Sequence, residues 1–516
     1  MTEIKENQSP SPHQPLPRQN NALYLRREIL IRLAKSFLRN QLVESVDSIP
    51  FEMRPKGADA PFRCCIYKER AILRLRCIAG LGFSVEEDDD VTPLARYAEQ
   101  ALEDRKPALP VLTVIDIACK GCVDAHYYVT ELCQGCLARP CYAGCNFGAI
   151  SIVDGRSVID RSKCRNCGRC MELCPYRAIV KFHVPCEEAC PVAAIHKGTG
   201  GRAIIDDDRC TSCGRCMRAC PFGAIMERSQ IIDVLRKIQA GRRVVALVAP
   251  AIVGQFPCSL EKIAGGIKKL GMSDVLSVAV GADLTAISEA KEFVERMKKG
   301  EPFMTTSCCP AYTQTARKHL PEILPMISGT PTPMHFTAQW ARQLFPDCVT
   351  VFIGPCVAKR AEGLTDPLVD HVLTFEELGA LFVAMGIELD EMEPSSLFEA
   401  SAQGRGFAVT GGVAQAVQVM VESLPDEPGK PTVTPVCVNG LSPAGIKLLK
   451  TYTKGSCPGN LVEIMTCEGG CVAGAGTLGN PKVATREIQK GTAAAPSLPD
   501  IQEKVPCVVH ESASPD

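Results

Sequence analysis

Cysteine is the residue whose number and spacing carry chemistry in this chain. There are 29 among 516 residues, and 16 of them fall in the 102 residues from Cys119 to Cys220. Cys164, Cys167, Cys170 and Cys174, followed by Pro175, spell C-x2-C-x2-C-x3-C-P, and Cys210, Cys213, Cys216 and Cys220, followed by Pro221, spell it again. The tight triplet lets three thiolates wrap one 4Fe–4S cubane, while the fourth, held by the Pro turn, reaches the cluster of a neighbouring repeat. Structural zinc sites use two CxxC pairs instead.

Two weaker repeats accompany these. Cys133, Cys136, Cys141 and Cys145 form a looser variant with Asn146 in place of Pro, and Cys186 with Cys190-Pro191 preserves only the end of a repeat. Cys145 lies 19 positions before Cys164, and Cys190 lies 20 before Cys210. That near-equality points to two tandem ferredoxin-like modules, each a swapped pair. On this pairing Cys133, Cys136, Cys141 and Cys174 hold one cluster, and Cys164, Cys167, Cys170 and Cys145 a second. Cys210, Cys213, Cys216 and Cys190 hold a third, which leaves Cys119, Cys122, Cys186 and Cys220 for a fourth. The alternative joins the 164 and 210 repeats directly, exchanging Cys174 and Cys220. Either way, three or four 4Fe–4S clusters form an electron conduit with no open position for a substrate.

Three further cysteine loops are spread over residues 305–476. They are Thr306-Ser307-Cys308-Cys309-Pro310, Gly354-Pro355-Cys356-Val357-Ala358-Lys359-Arg360 and Met465-Thr466-Cys467-Glu468-Gly469-Gly470-Cys471. The second and third follow apolar runs that read as strands, the place where α/β sheets bind ligands. Four of these cysteines suffice for one more cubane, with the glycines letting backbone approach it closely.

In order and separation these loops resemble the three signature motifs of FeFe-hydrogenases, over roughly residues 240–480, and the ferredoxin-like repeats fit the same family. The resemblance implies an H-cluster: a 4Fe–4S cubane joined to a di-iron unit carrying CO, cyanide and a bridging dithiolate. Carried over position by position, Cys309, Cys356, Cys467 and Cys471 match the cubane ligands, with Cys471 bridging to the di-iron unit. Cys308 matches the proton-passing thiol, and Lys359 a lysine that hydrogen-bonds a cyanide. Pro250 and Ala251 match a loop at the other cyanide, and Met465 a methionine near the bridging CO. Glu289 and Glu292 match the acids of a proton relay, Ser328 its serine. At i,i+3 the two acids share one helix face.

The resemblance implies reversible interconversion of H2 with protons and electrons, ferredoxin or a similar soluble carrier as partner, maturation proteins, and an anaerobic, cytoplasmic setting. Ala311-Tyr312, Gly354 and Glu468 depart from the usual motifs and resemble the group B subclass. Two other readings stay open: an H-cluster hydrogen sensor, and an iron–sulfur assembly factor lacking the di-iron unit. Cys308 and the lack of an evident signalling domain favour catalysis over sensing.

The elements that must position these residues are legible in outline. From Leu23 to Val46 apolar residues recur at helical spacing, and residues 62–83 read as a hairpin. Val244–Ala249, Val275–Val280, Val349–Ile353 and Phe407–Thr410 read as short buried strands alternating with helices. That pattern gives an α/β catalytic domain with small parallel sheets in two lobes, the active site between them, preceded by tandem α+β ferredoxin-like modules. The boundaries expected are 1–20 disordered, 21–110 of unassigned role, 111–228 cluster modules, 229–488 catalytic domain and 489–516 a flexible tail. Charges nearly cancel, 57 Lys+Arg against 58 Asp+Glu, which gives no basic excess for nucleic acid. No apolar run is long enough to span a bilayer. The N-terminus shows no signal-peptide core, so the thiols are expected in a reducing cytoplasm.

Overall fold

The computed structural model describes residues 20–57, 63–123, 125–425 and 428–506. The disorder expected of residues 1–19 and the end of the expected tail, 507–516, lie outside the described residues. Asn20 caps the first helix, Asn21–Leu38, by accepting from the Ala22 and Leu23 amides. Ile29, Leu30, Leu33 and Phe37 make its buried face. The helix stops at Arg39, short of the expected Val46, and a separate turn of helix follows at Leu42–Ser45.

Residues 62–83 do not form a hairpin. Ile66–Gly80 is a helix, because no turn residue interrupts the run before Gly80, and Ile72, Leu73 and Ile78 fall on the face buried with the first helix. Gly80 permits that approach: a Cβ there would stand 2.6 Å from Leu33 Cδ1.

The cysteine-rich segment folds into short antiparallel pairs, as expected of ferredoxin-like modules. Its strands are β1 (Leu112–Val114), β2 (Tyr127–Val129), β3 (Ile150–Val153), β4 (Arg156–Ile159), β5 (Ile179–Lys181), β6 (Ile195–Lys197), β7 (Ala203–Ile205) and β8 (Ile225–Glu227). They pair β1 with β8, β2 with β5, β3 with β4 and β6 with β7.

The C-terminal half carries two parallel sheets. Strands β9 (Val244–Val248), β10 (Asp274–Ser277), β11 (Met304–Thr305), β12 (Val349–Gly354), β13 (His371–Thr374), β14 (Pro435–Asn439) and β15 (Leu461–Met465) assemble in the orders β10-β9-β12-β13 and β11-β15-β14. Strands β9 and β12 are buried along their whole length, as continuous apolar runs demand in a sheet covered on both faces.

Three expected boundaries differ. The strand at Val275 ends at Ser277, whose hydroxyl caps the helix Val278–Lys298. Phe407–Thr410 is a turn between the helices Ala402–Gly406 and Gly412–Ser423; Gly412 lies so close to Gly406 that a Cβ would overlap its carbonyl. The chain remains ordered past Gln489, since the helix Pro481–Ala493 runs through it and Leu498 is buried against the helix Gly412–Ser423. The Ala/Pro-rich composition there conceals two apolar anchors, Ile488 and Leu498.

Buried ion pairs fasten the N-terminal helices and cluster modules to the catalytic sheets. Glu376, on the helix Phe375–Met385, pairs with Arg26 and Arg27 of the first helix. Its neighbour Glu377 pairs with Arg360, both almost wholly buried. Glu377 also accepts from the Ser229 hydroxyl at 2.6 Å and closes a capping box with Thr374, while Arg360 donates to the Arg228 carbonyl. Among the described residues no helix is long and apolar enough to cross a membrane.

Removing one partner of a buried pair strands the other charge in low dielectric. Arg360→Met is therefore expected to destabilise the protein by about 3–5 kcal/mol, read as a lowered thermal unfolding midpoint. An unchanged midpoint would show that Arg360 does not hold the modules together.

Candidate active site

All three signature loops, and the loop after β9, leave the carboxyl ends of parallel strands. Residues 306–309 follow β11, 355–356 follow β12, 466–471 follow β15 and 249–251 follow β9. They wall a cavity of about 90 Å³ whose lining is mostly apolar. Cys309, Cys356, Cys467 and Cys471 all line it, as do Cys308, Lys359, Met465, Pro250 and Ala251. Two glycines of the third loop make the approach possible. Gly470 has φ near +93°, and a Cβ there would stand 2.7 Å from the Thr410 amide nitrogen; at Gly474 it would stand 2.4 Å from the Pro355 carbonyl.

The donor set fits an iron–sulfur group. Burial, then the neighbouring thiols Cys356, Cys309 and Cys471, push the Cys467 thiol far above its ordinary range. Burial with repulsion from Cys309 carries Cys471 up to about 12. Four thiolates crowded into an apolar cavity are unstable unless a cationic group is bound among them. Among the described residues no group of three or more His, Cys, Asp or Glu is arranged around a single metal ion. The thiols ring a space instead.

Lys359 sits 8% exposed at the cavity, and burial alone would lower its pKa. The carboxylate of Glu362, 2.8 Å away, outweighs that and holds it up. Glu362 in turn accepts from Thr332 Oγ1 at 2.6 Å. Glu362 and Arg360 carry no sequence-derived role here, though the i,i+3 spacing from Lys359 to Glu362 signals the pair. Thr466, 3.6 Å from Cys309 Sγ, is another contact the sequence leaves unmarked.

Glu289 and Glu292 do share one face of the helix Val278–Lys298. Glu289 is fully buried; its Oε1 accepts from the Ser307 amide at 3.2 Å, and its Oε2 has no hydrogen-bond partner among the described residues. Burial, assisted by the negative charge of Glu292, pushes its pKa up to about 8. Burial also acts on Glu292, but it accepts from Ser328 Oγ (2.7 Å), the Gly329 amide (2.8 Å) and Thr330 Oγ1 (2.9 Å). These bonds and Arg296 hold its pKa below the ordinary value. Ser328 thus serves Glu292, and the two acids differ in protonation at neutral pH. Cys308 is pushed far up by burial, then by Glu289 and Cys309.

The 16 accessory cysteines gather into four sets. Cys133, Cys136, Cys141 and Cys174 line one small cavity, and Cys145, Cys164, Cys167 and Cys170 another. Burial raises Cys216 far above its ordinary pKa, and the thiols next in effect are Cys213, Cys210 and Cys190. Burial likewise carries Cys186 to about 11, with Cys220, Cys119 and Cys122 among the thiols that add to it. Cys174 therefore sits with Cys133, Cys136 and Cys141, and Cys220 beside Cys186, Cys119 and Cys122. Cys213 also lines the central cavity, where Gly214, at φ near +73°, lies so close to Ala475 that a Cβ would fall 2.6 Å from its Cβ.

Residues 242–475 match the family model described as iron only hydrogenase large subunit, C-terminal domain. Residues 157–180 match a 4Fe-4S binding domain and 181–231 the LdpA Fe-S cluster-binding domain. The chain is 28% identical over 403 residues to iron hydrogenase 1 of Clostridium pasteurianum, covering 66% of this chain and 67% of that one. It is 29% identical over 376 residues to the periplasmic [Fe] hydrogenase large subunit of Nitratidesulfovibrio vulgaris, covering 62% and 85%. Cytosolic iron-sulfur assembly component 3 of Bos taurus is 25% identical over 280 residues, covering 44% and 59%. A solved FeFe-hydrogenase of Chlamydomonas reinhardtii is 22% identical, covers 53% of this chain and 94% of that one, and superposes with a TM-score of 0.44.

Glu289 fixes a pH dependence whose sign follows from linkage. Its carboxyl binds a proton more tightly folded than unfolded, so the folded state loses stability as pH rises from about 4.5 to about 8. Glu289→Gln removes that loss. Its unfolding midpoint is expected to gain a few degrees on wild type between pH 5 and pH 8. A difference independent of pH would show that Glu289 is charged throughout.

Proposed function

We propose that this FeFe-hydrogenase-like chain interconverts H2 with protons and electrons at an H-cluster held in the central cavity. The observation that carries this reading is the meeting of Cys308 and Lys359 with four thiols at one cavity, backed by the buried acid Glu289. Cys309, Cys356, Cys467 and Cys471 would ligate the cubane, and Lys359, Pro250, Ala251 and Met465 would surround the di-iron unit. When bound, the H-cluster supplies the chemistry of making and breaking the H–H bond.

The chain's own residues manage the proton. The Cys308 thiol at the cavity wall takes up or returns it. Glu289 comes next, and an acid with a pKa about 8 can both accept and donate near neutrality. Glu292 follows on the same helix face, and its half-buried carboxylate, held by Ser328, lies toward solvent. The mostly apolar walls favour proton entry along the relay over entry through the cavity itself.

The four accessory thiol sets would hold 4Fe–4S clusters that carry electrons. Cys213 brings one set to the central cavity. Asn166 Nδ2, beside Cys164 and Cys167, donates to the Ala125 carbonyl near Cys122 at 3.1 Å and ties an outer set to an inner one. The outer module, residues 127–182, carries eight Lys and Arg against four Asp and Glu and exposes Leu137, Tyr142 and Tyr176. A positive, partly apolar face suits an acidic soluble carrier such as ferredoxin. The reading also assigns the chain to a reducing cytoplasm and to maturation proteins that deliver the di-iron unit.

Iron–sulfur assembly is the second reading, favoured by the similarity to assembly component 3. It needs neither Cys308 nor Lys359 at the cavity. Infrared spectroscopy of matured protein decides between them: CO and CN stretches are expected, and their absence would remove the H-cluster. Cys308→Ser is expected to retain those bands while losing at least ~100-fold in turnover. Turnover near wild type would take Cys308 out of the relay.

A further inference from the structure

A larger cavity lies away from the hydrogen chemistry, where the N-terminal helices meet the loops of Cys119 and Cys220. It encloses about 500 Å³, a volume usual for small-molecule sites. Leu25, Ile72 and Leu73 give it an apolar wall, and Cys119 and Phe222 lie opposite. Its charge is one-sided: Arg54, Arg63, Lys68, Arg76 and Lys120 line it with Glu69 as the single carboxylate. Glu69 is taken by Arg54, at 2.7 Å, and by the Arg63 amide, at 2.9 Å.

Among the described residues no carboxylate pairs with the remaining cations, and the negative groups acting on Arg76 are the thiols Cys220 and Cys77. Arg63 donates to the Ala118 and Phe222 carbonyls, both at 2.9 Å, and Arg76 Nη2 to the Gly223 carbonyl at 2.6 Å. Carbonyls orient a guanidinium without neutralising it. Arg76 is 2% exposed, and its Nε is buried with no partner among the described residues. A buried, unpaired charge is costly unless a ligand completes it. Planar guanidiniums and flexible ammoniums together match the oxygens of a phosphate group, and the apolar wall accommodates a ring.

We propose that this cavity binds a phosphate-bearing small molecule of nucleotide size. Residues 21–110 thereby gain a role as one wall of a ligand site. Binding does not depend on hydrogen conversion. A further consequence does rest on the reading of Cys119, Cys122, Cys186 and Cys220 as cluster ligands: an anion bound beside Cys119 disfavours reduction of that cluster and shifts its midpoint potential downward.

The test is titration calorimetry on anaerobically purified, cluster-loaded full chain with AMP, ATP and inorganic phosphate. Saturable binding of a nucleotide at one site is expected, weakened at least tenfold in the Lys68→Gln, Lys120→Gln double variant at unchanged iron content. Phosphate binding as tightly as either nucleotide would also support the site, and would identify the phosphate group alone as its ligand. No saturable binding of any of the three at millimolar concentration, or equal binding by the double variant, overturns the proposal. A redox titration followed by electron paramagnetic resonance, with and without nucleotide, reads the second step separately. Binding without a potential shift would overturn the coupling and leave both the binding site and the hydrogen chemistry standing.

Discussion

Four thiols facing one apolar cavity are the constraint that the rest of the catalytic half satisfies. Thiolates repel one another and lose hydration there, so each ligand loop must be held against its own electrostatics. The fold meets this by starting every loop at the carboxyl end of a buried parallel strand. Strands β9, β12, β11 and β15 deliver residues 249–251, 355–356, 306–309 and 466–471 to one place from two separate sheets. Neither sheet alone supplies the set, and the glycines at 470 and 474 remove the side chains that would keep the third loop away.

Much of the site is legible in the sequence because metal ligation depends on a few residues at fixed spacing, and spacing is what a sequence records. The cavity gathers Cys308, Cys309, Cys356, Lys359, Cys467 and Cys471 from motifs visible in one dimension. Strands β9, β10 and β12 were visible for a similar reason, as apolar runs with glycine at the turns, whereas β13 and β14 were not. What stayed hidden depends on contacts distant in the chain. Glu376 and Glu377 look like an ordinary acidic first turn, yet one holds Arg26 and Arg27 from about 350 residues upstream and the other holds Arg360. The hairpin expected at residues 62–83 failed for a local reason: interleaved Arg and Lys imitate strand alternation, while the apolar residues keep helical spacing and the helix ends only at Gly80.

Around the catalytic cavity each ionised group has a partner of opposite sign or a set of donors: Lys359 has Glu362, Glu292 has Ser328, Thr330 and Arg296, and Arg360 has Glu377. Glu289 is the exception, and its carboxyl answers by holding a proton. A buried acid that stays neutral escapes the desolvation cost, and that same neutrality makes it able to give a proton away.

The pair Glu289 and Glu292 shows how one helix produces both states from one residue type. The residues are one turn apart and face the same side, so propensity and periodicity treat them alike. The difference lies in what the neighbouring loop offers. Residues 328–330 present two hydroxyls and two amides to Glu292, whereas Glu289 is met by one amide and a distant hydroxyl from Ser307. Three or four donors outweigh partial burial, and one does not outweigh complete burial. The difference in protonation between two acids on one face is therefore written in the loop after Ile327, a segment that carries no cysteine.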